Sequence, residues 1–166
     1  MRSTCRLDAG GVEIKVAVRK TLPFVFLVIL AGCGGSSPFS ASERDEYNER
    51  INAINDAWEE FRVAGNACTG ADAADCLKAA LDSSGFPEAV GNLRSTVVRF
   101  QDSVEPGDCQ SSLDDVEASL HILNINIDIL KYGETDPDAV EETADSFVEA
   151  WDAAVAAGDA AGDACS

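Results

Sequence analysis

Six cysteines and a single histidine are the most reactive residues in this 166-residue sequence. No two cysteines stand in Cys-x-x-Cys, the spacing of thiol–disulfide catalysts and of covalent haem attachment. His121 follows Glu117 by four residues, so on a helix the two share a face and could pair or share a metal ion. A di-iron bundle needs Glu-x-x-His pairs from two helices; this chain has one histidine, at the wrong spacing. Ser83-Ser84-Gly85 lacks the Gly-x-Ser-x-Gly turn that presents a nucleophile beside its base. No glycine loop of the phosphate-cradling kind occurs. Asp136, Asp138, Glu141 and Glu142 form the densest carboxylate cluster, but off the calcium-loop spacing. Weak, nonspecific cation binding is the most they imply. Trp58 and Trp151 fall on apolar stripes, which predicts core packing, with a ligand cleft between them as the alternative. The expectation is a protein that is not an enzyme, with no cofactor and no metal site.

The clearest signal lies nearer the start. Arg19 and Lys20 precede the apolar run Leu22-Pro-Phe-Val-Phe-Leu-Val-Ile-Leu30, and Ala31-Gly32-Cys33 closes it. A basic flank, a short apolar run and a small-residue exit are the parts of a secretory signal. The run is less than half of the about 20 apolar residues that a membrane span needs. Leu30-Ala31-Gly32-Cys33 resembles the lipobox of bacterial lipoproteins at all four positions. The resemblance covers about residues 19–34. It implies that the Cys33 thiol receives a diacylglyceryl group and that a signal peptidase cuts between Gly32 and Cys33. Cys33 would then hold the chain on the extracytoplasmic face of the bacterial cell membrane, its partner being the lipid bilayer. Two acyl chains anchor a protein stably, whereas one does so only marginally. The competing reading makes Cys33 an ordinary buried or disulfide cysteine behind an uncleaved anchor.

Three segments follow from this: 1–32 as signal peptide, 33–41 as lipidated cysteine and flexible linker, and 42–166 as a helical domain. Residues 1–17 fit poorly, because signal n-regions are short and this one holds Asp8, Gly10, Gly11 and Glu13. A valine-coded start at Val12, Val16 or Val18 accounts for them and removes Cys5 from consideration. The full chain carries a formal charge of −18; leaving out five basic and two acidic residues of 1–32 gives 7 basic and 28 acidic ones, or −21. Such a surface repels nucleic acid and anionic lipid head groups. It suits solubility, cation binding or a basic protein partner.

Positioning these residues falls to a repeated apolar period. Ser40 and Glu43 have capping-box spacing, and Tyr47, Ile51, Ile54, Trp58 and Phe61 then step by 4, 3, 4, 3 along one helical face. Gly65 is read as its stop. Leu77 and Leu81 share a face of a short helix with Ala73, Ala74 and Ala80. A second long helix starts at Phe86-Pro87 and carries Val90, Leu93, Val97, Phe100 and Val104. After Pro106-Gly107-Asp108 a third runs from about Gln110 to Tyr132 on Leu113, Val116, Leu120, Leu123, Ile127 and Leu130. Within it Ile125, Ile127 and Ile129 alternate as a strand does, but five residues of alternation yield to eighteen of helical period. Ile122, Ile125 and Ile129 form a second stripe, read as a wide core face or as an interaction surface. A fourth helix opens at Asp136-Pro137 and carries Val140, Ala144, Phe147, Trp151 and Ala154; its glycine-rich tail is expected to leave the helix.

The fold class predicted is all-α, an up-down-up-down four-helix bundle with a short extra helix between the first two. Cys68, Cys76, Cys109 and Cys165 remain, and an even number in an exported chain reads as two disulfides with three possible pairings. Alternating helix directions put Cys68 with Cys76 at one end and Cys109 with Cys165 at the other. The function expected is a membrane-anchored interaction or structural module, with a small-ligand carrier or sensor as the alternative. If translation starts at an internal valine, deleting residues 1–11 leaves expression and export unchanged; loss of either on immunoblots of fractionated cells overturns that start.

Overall fold

A computed structural model describes residues 38–69, 72–133 and 137–165, with side chains outside the description at 137–141. The segment 1–32 read as a signal, Cys33, Asp136 and the side chains of Asp138 and Glu141 lie outside the described residues. Five helices follow in order: α1 (Ala41–Gly65), α2 (Ala73–Ser83), α3 (Phe86–Gln101), α4 (Asp108–Tyr132) and α5 (Pro137–Ala164). They form a helical bundle, and no strand occurs among the described residues.

The α1 entry is fixed by the expected capping box. The Glu43 N–H donates to Ser40 Oγ at 3.3 Å, and the Ser40 N–H donates back to the Glu43 carboxylate at 2.8 Å. Both bonds satisfy donors that a helix start leaves unpaired. Phe39 corrects the linker boundary of 33–41. It is buried against Phe100, with ring centroids 4.9 Å apart, so the folded domain begins there and the helix at Ala41. Gly65 is the last residue of α1 and keeps helical geometry. Its small size serves packing, since a Cβ there would stand 3.3 Å from Leu77 Cδ2.

Ala73, Ala74, Leu77, Ala80 and Leu81 are all buried on α2, as their spacing requires. Between α2 and α3 Gly85 takes φ +68, the left-handed region that side chains avoid. Ser84 Oγ donates to the Leu81 carbonyl and accepts from the Phe86 N–H, which turns the chain directly into α3. Ser83-Ser84-Gly85 is thus a helix–helix turn. On α4 all six residues of the apolar period are buried, and helix continues through the alternating isoleucines. Lys78 Nζ donates to the Gly133 carbonyl at 3.3 Å just past the α4 end, where unpaired carbonyls favour a cation.

α5 departs from expectation at its tail: the helix runs to Ala164, through Gly158 and Gly162. Gly158, Ala161, Gly162 and Cys165 are buried at helical spacing and continue the stripe of Phe147, Trp151 and Ala154. Glycine weakens a helix by about 1 kcal/mol per residue, but here packing and a covalent bond hold the last turns. Cys165 is joined to Cys109 in the first turn of α4, with Cα atoms 4.7 Å apart. Cys68 is joined to Cys76, Cα atoms 5.5 Å apart, across the α1–α2 connection. Both pairings are those expected.

Two aromatic groups fill the core. Trp58 and Phe61 from α1, Phe86 from α3, and Phe147 and Trp151 from α5 meet in one; Trp58 and Trp151 stack at 4.7 Å and 19°. Phe39, Tyr47 and Phe100 form the other, beside Cys165 and Leu113. Replacing Cys109 and Cys165 together by Ser is expected to lower unfolding free energy by about 4 kcal/mol, and replacing Cys68 and Cys76 by about 2.5, as their loop lengths dictate. Urea denaturation of the paired variants measures both, and a larger loss from the short loop would contradict the loop-entropy account.

Candidate functional site

The residues with catalytic potential are kept apart. His121 is exposed on α4. Glu117 does not pair with it, because Arg94 of α3 donates through Nε to Glu117 Oε1 at 2.7 Å. A guanidinium binds a carboxylate with charge on both sides, so Glu117 serves the α3–α4 contact. Among the described residues no group of three or more His, Cys, Asp and Glu is placed to hold a metal ion. Three further cations, Arg62, Arg99 and Lys131, also pair with carboxylates. Arg99 of α3 bonds Glu46 of α1 at 2.6 Å, which holds that carboxyl below its usual range. Lys131 Nζ lies 2.7 Å from Asp82, a contact that raises the lysine pKa.

Among the described residues Trp58 and Trp151 stack on each other, and the cleft beside Trp58 is small. Beside Trp58, Phe61, Leu77 and Phe147 lies an apolar cleft of about 20 Å³, and beside Phe39, Tyr47 and Phe100 one of about 10 Å³. The first has room for one water and the second barely that. A larger depression of about 310 Å³ lies open to solvent between α1 and α3. Ala53, Ala57 and Ala89 form its floor, with Asp56, Glu60 and Glu88 around it. Tyr47 is the one buried side-chain hydroxyl that finds no hydrogen-bond partner among the described residues. Burial, and then the charge of Asp159, pushes its pKa up to about 12.

The isoleucine stripe is a surface. Ile122, Ile125 and Ile129 are 53, 46 and 47 % exposed. The wide-core reading fails because Leu113, Val116, Leu120, Leu123, Ile127 and Leu130 already complete the face that α4 turns to its neighbours. Tyr132, 77 % exposed, and the exposed Ala118 extend the stripe in both directions. The sequence reading missed these two, although they sit one step of 3 and one of 4 beyond the isoleucines. Asp56, Glu60 and Glu88 were missed as a group because only the α1–α3 packing brings them together.

Compared with protein-family models, with curated proteins and with solved structures, the chain matches none.

Replacing Ile122, Ile125 and Ile129 by Ser is expected to change stability by no more than about 0.5 kcal/mol each, whereas Leu120→Ala or Leu123→Ala should cost about 2–5 kcal/mol. Denaturant midpoints separate the two classes. Tyr47 gives a signature in base. Its pKa is higher folded than unfolded, so the unfolded chain loses that proton first, and stability falls as pH rises from about 10 to about 12, by about 2–3 kcal/mol in all. Tyr47→Phe should flatten that part of the profile; an unchanged slope would place the alkaline titration elsewhere.

Proposed function

We propose that this chain is the precursor of a bacterial lipoprotein, held by acylated Cys33 on the extracytoplasmic face of the membrane. Its domain would be an up-down-up-down bundle that acts as a protein-interaction or structural module and performs no catalysis. The topology is supported by contacts between opposite ends of successive helices: Cys109 in the first turn of α4 with Cys165 at the end of α5, and Glu46 early in α1 with Arg99 late in α3. Gln101 at the end of α3 bonds Asp114 near the start of α4. Two disulfides suit an oxidising compartment beyond the cytoplasm.

The observation that carries the interaction reading is the pairing of a closed core with an exposed apolar stripe. A carrier of drug-sized ligands needs roughly 300–1,000 Å³ of concave, largely apolar space, and the apolar clefts offer about 20 and 10 Å³. Apolar side chains aligned on one helix, by contrast, suit a protein partner. The open depression ringed by Asp56, Glu60 and Glu88 suits a basic segment of a partner.

Intact mass of protein extracted from membranes of a bacterial host tests the reading. The expected species is Cys33–Ser166 plus a diacylglyceryl group, four hydrogens lighter than its reduced form. An unprocessed mass with free thiols overturns anchor, compartment and function together.

A further inference from the structure

We propose that the isoleucine stripe of α4 is the contact face of a parallel dimer, formed by two copies of this chain standing side by side on one membrane. The inference rests on the lipid-anchor reading and names the partner. Ala118, Ile122, Ile125, Ile129 and Tyr132 step by 4, 3, 4, 3 and are all exposed. That is the two-per-heptad seam of a coiled coil, narrower than the face a helix turns to a core. α4 has its core face already, so the outer seam matches one further helix.

Three features select a second copy. The first is charge. Ser119 and Asn126 flank the seam on one side, His121 and Asp128 on the other. A basic helix would find one acid among these four. In a parallel pair the flanking positions cross over, so His121 meets Asn126 of the second copy and Asp128 meets Gly133 of the second copy. No like charges face each other between residues 118 and 132, in a chain whose residues 33–166 carry −21.

The second is the place of the anchor. Phe39 is pinned against Phe100 at the end of the molecule that carries Cys109 and Cys165. Six chain steps separate it from Cys33, so the lipid lies within about 20 Å of that end. Tyr132 lies 23 residues beyond Cys109 on α4, about 35 Å along the helix. Copies in one leaflet therefore stand on the same end, with seams at one height and in one direction, as a two-fold axis normal to the membrane demands.

The third is area. Three half-exposed isoleucines and a tyrosine offer on the order of a few hundred Å², less than the roughly 800 Å² per partner of a stable interface. Such a pair is weak in free solution and forms where tethering raises the effective concentration. α4 is already folded, so pairing orders little besides side chains.

Single cysteines in the anchored full-length chain test the geometry, because parallel pairing puts each seam residue beside its own copy. Under mild oxidation in isolated membranes, Ile122→Cys, Ile125→Cys and Tyr132→Cys are each expected to form disulfide dimers at least ten-fold faster than Val63→Cys, an exposed position on α1. Rates no higher than that control overturn the pairing. So does a dimer from mixed Ile122→Cys and Tyr132→Cys chains in place of the single-variant dimers, or a crosslink to another protein. Adding Cys33→Ala should lower dimer yield at least ten-fold at equal chain level; an unchanged yield overturns the tether. The mass of the unsubstituted protein reports separately on lipid. If none is present the anchor reading falls alone, and the pairing stands only if the purified full-length chain gives the same three crosslinks.

Discussion

The stack of Trp58 on Trp151 is the contact on which the rest of the bundle depends. These residues lie 93 positions apart, on the first and last helices, and Phe61, Phe86 and Phe147 pack around them. Each such ring buries roughly 150–250 Å², and offset or edge contacts add to that burial. Buried leucine, isoleucine and valine from α1 to α4 complete the core around this cluster. Ala73, Ala74 and Ala80 let α2 lie close to the core without filling it, and Gly65 admits Leu77 at the edge of the same cluster. Filling by aromatics leaves clefts of about 20 and 10 Å³ among the described residues.

The other end is held differently. Its rings, Phe39, Tyr47 and Phe100, need a neighbour that takes up little room, and α5 supplies Gly158, Ala161 and Gly162. The two glycines make a poor helix by themselves. The bond from Cys165 to Cys109 limits how far those turns can fray, and burial does the rest. The same packing draws Phe39, ahead of α1, into the folded domain. The unpaired Tyr47 hydroxyl shows what this fit costs, since an unsatisfied buried polar group is unfavourable by about 1–3 kcal/mol.

Charge is arranged around the core rather than within it. Some of the few cations join helices, Arg94 to Glu117 and Arg99 to Glu46, while the excess carboxylates face solvent. Exposed pairs of this kind contribute little to stability, about 0–1 kcal/mol each, but they settle which carboxylates are neutralised at the surface. Glu117 is withdrawn from His121 in this way. The seam from Ala118 to Tyr132 is left with nearly uncharged borders, which sets it apart from the acidic surface elsewhere.

The sequence by itself determined the helices and their buried faces, because both rest on local information. A period of 3 and 4 records which side of a helix meets the core, and Ser40 with Glu43 marks a start without reference to anything distant. The disulfide pairing was legible for a related reason: four long apolar periods, with short links on either side of the third, leave few ways to bring cysteines together. Only the tertiary structure decided the rest. Ile122, Ile125 and Ile129 read first as a wide core face, with an interaction surface as the alternative, until the inward face of α4 was complete without them. The α5 tail was taken for a frayed end because glycine counts against a helix locally, and its rescue comes from rings 50 or more residues away. Phe39 looked like linker for want of its neighbour Phe100. Contacts between distant residues carry no local period, and these misplaced features all turn on such contacts.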